Sequence, residues 1–236
     1  MDKKLLDITK DELNKMDVEE LNLPVVIIDE TSSFEDVSEA CDKLLEGPKI
    51  LGFDTETKPC FRKGEHRKVA LLQLSSQNIV VLVRLIKIED KSILEPLIKI
   101  LKNKRIAKVG IAIGDDVRGL YNSYEIITNK FLDLRVLAKA SGIGALSLTK
   151  IYGLLFGKRI SKSQQLSDWE RPQFTEAQIR YAGLDAYSGL CIYMKLKSNA
   201  KKDMYQHFQK PEPPKKKKRR RYKNNLAQNS ERNTKC

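Results

Sequence analysis

Apolar runs of strand length fill the first half of this 236-residue chain, and helical periodicities fill most of the second. Pro24 to Ile28, Ile50 to Phe53, Val69 to Ser75 and Ile79 to Leu85 are short, rich in Val, Ile and Leu, and bounded by polar or turn residues. That is the pattern of buried strands. The short connection Ser76, Gln77, Asn78 predicts a hairpin between the last two, and Ile106 to Val109 reads as a further strand. Ser33 caps an expected helix from Phe34 to Leu45, ended by Gly47. Helical spacing recurs from Ser92 to Leu101, from Leu134 to Ala140, from Leu148 to Phe156 and from Glu176 to Lys197, where Thr175 and Gln178 form a capping-box signature. Strands that lead and helices that follow imply a mixed α/β sheet with helices packed on it.

Acidic residues stand at particular places in this pattern. Asp54 and Glu56 follow the apolar run that ends at Phe53, and residues two apart on a strand project to the same face. Tyr181 and Asp185 are four apart in the last helical segment, which stacks them on one helical face. Carboxylates about 4 Å apart repel by roughly 4 kcal/mol at an effective dielectric near 20, so a cluster of them calls for a cation. Hard oxygen donors suit Mg²⁺ or Mn²⁺, and two such ions can serve phosphodiester cleavage. A bare Asp-x-Glu says little by itself, because a second one, Asp17 and Glu19, lies in a polar stretch with no strand before it.

Order and context say more. Gly52-Phe-Asp-Thr-Glu-Thr57, Val109 to Leu120 with Asp115 and Asp116, and Tyr181-Ala-Gly-Leu-Asp-Ala-Tyr-Ser-Gly189 resemble, in that order, the three motifs of the tyrosine-containing (DEDDy) four-carboxylate 3′→5′ exonucleases. That family holds ribonuclease D and the exonuclease domain of the Werner syndrome protein. The connecting segment from Ser147 through Gly157-Lys-Arg to Trp169 is similar to it as well, so the resemblance covers about Ile50 to Leu196. It implies a single ribonuclease-H-like domain with a mixed β-sheet flanked by helices. It also implies metal-dependent hydrolysis at the 3′ end of DNA or RNA, releasing nucleoside 5′-monophosphates, with two divalent cations. By the same resemblance the catalytic residues are Asp54, Glu56, Asp116, Tyr181 and Asp185. Asp54, Glu56 and Asp185 would hold the ion associated with the attacking water, Asp54 would bridge to the second ion, and Asp116 would support that one. Asp116 is preferred to Asp115 because it stands four residues before Leu120, as the family pattern asks. Asp115 then reads as a helix N-cap. Tyr181, with an ordinary pKa near 10, is expected to orient water rather than act as a base.

Net charge is +13 but unevenly placed. From Ala200 on, 13 Lys and Arg face 3 Asp and Glu, which leaves the preceding part close to neutral. The run Lys215 to Arg221, after Pro211, Pro213 and Pro214, predicts a disordered basic tail that would add nucleic-acid affinity by counterion release, or serve as a nuclear address in a eukaryotic source. The expected organisation is therefore residues 1–22 as a polar segment, 23–199 as the exonuclease domain and 200–236 as the tail. Cys41, Cys60, Cys191 and Cys236 show no paired metal-ligand spacing and read as free thiols. No apolar run approaches the ~20 residues of a membrane span, so a soluble intracellular protein is expected.

Other residues carry competing readings. Lys158, Arg159 and Lys162 follow Gly157 in a loop and are candidate substrate-binding residues, against a merely solvated basic loop. Asp133 reads as a helix cap before a fifth ligand, and Trp169, the only tryptophan, as a core anchor before a base-stacking platform. His66 lies in a basic stretch after the first motif and has no assigned role. The rival to an exonuclease is a non-catalytic nucleic-acid-binding protein that retains the fold. Nucleic acid is the expected partner of either, with a helicase in trans where a duplex must be opened.

Overall fold

The computed structural model describes residues 5–62 and 64–210. In chain order the elements are α1 (Lys10–Asn14), β1 (Val25–Ile28), α2 (Phe34–Leu44), β2 (Ile50–Glu56), β3 (Leu71–Ser75), β4 (Val80–Val83), α3 (Glu95–Lys102), β5 (Ala107–Gly110), α4 (Ile113–Tyr124), β6 (Asn129–Asp133), α5 (Leu134–Ala140), α6 (Leu148–Phe156), α7 (Glu176–Leu196) and β7 (Gln206–His207). The strands form one mixed sheet in the order β1-β4-β3-β2-β5-β6-β7. β2, β3 and β4 are an antiparallel meander. β5 and β6 run parallel to β2, β1 runs parallel to β4, and β7 closes the far edge antiparallel to β6. The expected ribonuclease-H-like α/β sheet is present, and β3 and β4 are the hairpin that the three polar residues between them foretell.

Alternation along the strands divides the core into two layers. Leu51 and Phe53 of β2, Leu72 and Leu74 of β3, and Val81 and Val83 of β4 pack with α2, α3 and α4. Leu71, Val80 and Leu82 lie with Trp169, Tyr181 and Ala182 on the opposite face, beneath α7. Gly52, Asp54 and Glu56 have the parity of that second face. At Gly52 the helix comes so close that a Cβ there would stand 1.9 Å from the carbonyl oxygen of Ala186, so only glycine lets α7 lie on β2.

Helix ends follow their side chains. Ser33 with Asp36 and Thr175 with Gln178 each form a complete capping box. Asp133 accepts from the backbone N–H of Arg135 and caps α5, as expected. Asp115 is not a cap. Ala112, with φ 55°, precedes α4, and Asp115 sits exposed in the first turn paired with Arg118. An acid there still meets the positive end of the helix dipole.

Three elements lie where none is expected. α1 is short and capped by Thr9 with Glu12. β6 has only two buried residues, and β7 is two exposed polar residues whose place is set by pairing alone. The domain also ends later than Leu196 suggests. Met204 and Tyr205 pack on the α7 layer, the hydroxyls of Tyr193 and Tyr205 lie 2.8 Å apart, and Phe208 stacks on Tyr121 at 4.6 Å. Aromatic contacts thus hold the chain as far as Phe208, beyond the boundary expected at Ala200. The basic run from Lys215 to Arg221 lies outside the described residues. Among those described, no helix is long and apolar enough to cross a membrane.

Candidate active site

Two features of the sheet open a cleft at the C-terminal end of β2. β5 pairs with β2 only as far as Gly52 opposite Val109, so residues 54–56 run on past their neighbour. The chain leaves β5 at Gly110, where a Cβ would stand 2.4 Å from the carbonyl oxygen of Phe53, and turns through Ala112 into α4. The Asp133 carboxylate steadies that left-handed turn by accepting from Ala112 N–H at 3.3 Å. The result is a depression of about 360 Å³ walled by β2, α7 and the segments around Ser147 and Gln165.

Asp54, Glu56, Tyr181 and Asp185 all line it. Asp54 and Glu56 share the sheet face that α7 covers, and the close seat at Gly52 brings Asp185, next to Ala186, over them. Asp116 comes from α4 in the other layer and reaches the strand from behind. Its Oδ1 accepts from the Thr55 hydroxyl at 2.6 Å. Thr55, pointing away from Asp54 and Glu56, thus ties the fourth acid to the other three. Nothing in the sequence signals this role, since a threonine of the wrong parity reads as part of the far layer.

Clustering and burial work together on the charges. Burial, then the neighbouring Asp116, Asp185 and Glu56, push the Asp54 carboxyl well above its ordinary range. Glu56 is pushed up to about 9 by burial and then by Asp185 and Asp116. Asp116 is raised to about 7 by burial, against the Thr55 hydrogen bond. Asp185 is raised to about 7 by burial, opposed by the Tyr181 hydroxyl and the Lys162 ammonium. Burial and the charges of Asp185 and Glu56 raise Tyr181, which stays protonated. A group of oxygen donors that resists ionising together is one that divalent cations would relieve. Among the described residues no three or more Asp, Glu, His or Cys side chains stand close enough together to hold a metal ion as they lie.

The basic candidates separate. Lys162 lines the cleft. Lys158 does not, because Glu19 holds it at 2.9 Å, and Glu19 also accepts from Tyr152. Arg159 is turned to the N-terminal segment, donating through Nε to the carbonyl oxygen of Met16 at 3.1 Å. The second Asp-x-Glu is therefore structural. Trp169 is fully buried, 5.5 Å from Phe174 and 6.0 Å from Tyr181 between ring centroids. It backs the tyrosine as a core anchor and cannot stack a base. His66 is exposed outside the cleft.

Fold and cleft define a nuclease of ribonuclease-H-like architecture. The chain matches the family model described as 3′-5′ exonuclease over residues 26–201 and belongs to that family. It is 31% identical over 172 residues to the bifunctional 3′-5′ exonuclease/ATP-dependent helicase WRN of Mus musculus, a match covering 71% of this chain and 12% of that protein. It is 35% identical over 156 residues to exonuclease 3′-5′ domain-containing protein 2 of Drosophila melanogaster, covering 63% of this chain and 25% of that one. The chain thus spans a quarter or less of either relative. Its fold is shared by the Aedes aegypti Nibbler EXO domain, with a TM-score of 0.66 and 22% identity over 77% of this chain and 92% of that one. It is shared by Escherichia coli RNase D, with a TM-score of 0.64 and 23% identity over 76% and 45%. The family is generally dependent on divalent metal.

Proposed function

We propose that this chain hydrolyses the terminal phosphodiester bond at the 3′ end of a DNA or RNA strand and releases nucleoside 5′-monophosphates. Two divalent cations, Mg²⁺ or Mn²⁺, would be held by Asp54, Glu56, Asp116 and Asp185. The observation that carries this reading is one cleft in which acids from β2 and α7 meet beside a buried tyrosine, with a fourth acid bonded in through Thr55. Bound cations would neutralise the clustered charge, acidify water and stabilise the leaving oxygen.

The side chains do the rest. Asp54 and Glu56, fixed by strand geometry, set the floor on which a phosphate is presented. Tyr181 keeps its proton at neutral pH and orients the attacking water through its hydroxyl, held in place by Trp169 behind it. Lys162 supplies positive charge at the rim of the cleft, where substrate phosphate enters. A binding protein without turnover is the less favoured reading, since four mutually repelling acids serve no purpose in holding an anion. By its name the mouse relative joins an exonuclease to a helicase, and a helicase acting in trans is the proposed means of opening a duplex for this chain.

The test is a time course on matched 3′-labelled and 5′-labelled DNA and RNA with Mg²⁺ or Mn²⁺. Stepwise loss from the 3′ end with mononucleotide product is expected, and Asp54→Ala should abolish it. Full activity of that variant, or release from the 5′ end, would overturn the assignment.

A further inference from the structure

Next to the acidic cleft lies a second depression of about 450 Å³, walled by α1, the start of α6 and the loop that follows α6. Ser147, Thr149 and Lys162 line both, so the two adjoin across these side chains. Their chemistry is opposite. Lys10, Lys150, Arg159 and Lys162 line the second depression, and no acid does. Lys150 meets Asp7 at 3.1 Å, whereas Lys10 and Lys162 stand outside every ion pair among the described residues.

The wall that carries Lys10 is firmly seated. Leu13 of α1 lies against Gly153 of α6, where a Cβ would stand 2.7 Å from its methyl carbon. Backbone bonds run from Glu19 N–H to Arg159 C=O and from Arg159 N–H to Asp17 C=O, each 2.9 Å. Farther back, Leu6 exchanges backbone bonds with Gly142 and Gly144 at 2.8 and 2.7 Å. The segment before β1 is thus part of the domain, and it places a cation beside the entrance to the acids.

A strand whose 3′ end enters the acidic cleft must carry its next phosphates away from those acids, and an adjoining groove walled by cations, with Lys10 and Lys162 in no ion pair among the described residues, is where they gain most. We propose that this basic groove holds the phosphate backbone 5′ of the scissile bond, and that Lys10, supplied by the N-terminal segment, is a substrate-positioning residue. The inference rests on the exonuclease reading above and extends the site beyond the terminal nucleotide.

A dinucleotide without a 5′ phosphate has only the scissile phosphate, so it cannot fill the groove; a decanucleotide can. Lys10→Glu should raise the ratio of KM for the decanucleotide to KM for the dinucleotide about tenfold at low salt, as expected for losing one charged contact. Decanucleotide affinity, read by fluorescence anisotropy in Ca²⁺ between about 50 and 200 mM salt, should lose about 0.7 from its salt slope. Lys104→Glu, the same charge reversal far from the groove, supplies the control. An unchanged ratio, an equal rise for both substrates, or the same shift in the control would overturn the groove. Loss of decanucleotide affinity in Lys10→Glu alongside a wild type that releases no mononucleotide would leave the groove standing and remove the exonuclease reading.

Discussion

At the scale of single residues, the site depends on what Gly52 lacks and on what Glu56 cannot easily carry. A methyl at position 52 would strike the Ala186 carbonyl, so Gly52→Ala must lift α7 from β2. Overpacking of that kind costs about 1–3 kcal/mol. Urea unfolding should show the loss, and mononucleotide release should fall further than stability does, because Asp185 moves with the helix. Glu56 gives a titration test on metal-free protein. Its folded pKa of about 9 lies above its ordinary 4.5, so the folded chain binds more protons than the unfolded chain between those values. Stability from this group is full below about pH 4.5 and is lost as pH rises towards 9. Lys108 acts in the opposite sense above pH 7, since burial lowers it to about 7 while it donates to the carbonyl oxygens of Leu101 and Ile106 at 2.9 Å. A comparison with Glu56→Gln cancels that contribution. In EDTA the variant should match wild type near pH 5 and melt progressively higher than wild type towards pH 8.5, and Mg²⁺ should narrow or reverse the gap. A gap independent of pH would show that neither burial nor the neighbouring acids raise Glu56. The pairing of Asp54 with Glu56 and of Tyr181 with Asp185 on shared faces could be read from spacing, because parity on a strand and i,i+4 on a helix fix relative direction, whereas their proposed roles come from the family resemblance. The role of Thr55 could be read from neither, since it depends on an α4 carboxylate 61 positions away.

At the scale of elements, legibility followed burial. α5, α6 and α7 lie within a residue of their expected spans because apolar periodicity and caps agree there. β6 and β7 were hidden, one with two apolar residues and the other with none, and α1 was hidden in a polar stretch. Their places come from pairing and docking, which local sequence does not encode. The last of these elements matters for any truncation. Ending the chain after Lys210 should leave folding and hydrolysis intact while lowering affinity for nucleic acid chiefly at low salt, if the basic run binds phosphates. Ending it after Ala200 also removes Tyr205, β7 and Phe208, and should cost about 2–3 kcal/mol in denaturant unfolding. Equal stability of the two truncations would mean that the closing strand contributes nothing.

For the whole molecule, the two apolar layers meet only through the strands between them, and β2 belongs to both. Its odd residues anchor α2, α3 and α4, while its even residues carry Asp54 and Glu56 to α7. Removing one residue between positions 50 and 53 would therefore turn both carboxylates into hydrocarbon and aim Thr55 at the substrate. Two removed together would keep the handedness of the arrangement and only shorten its reach. Insertions and deletions in this stretch should be tolerated, if at all, in pairs, a counting rule imposed by the pleat before any chemistry begins.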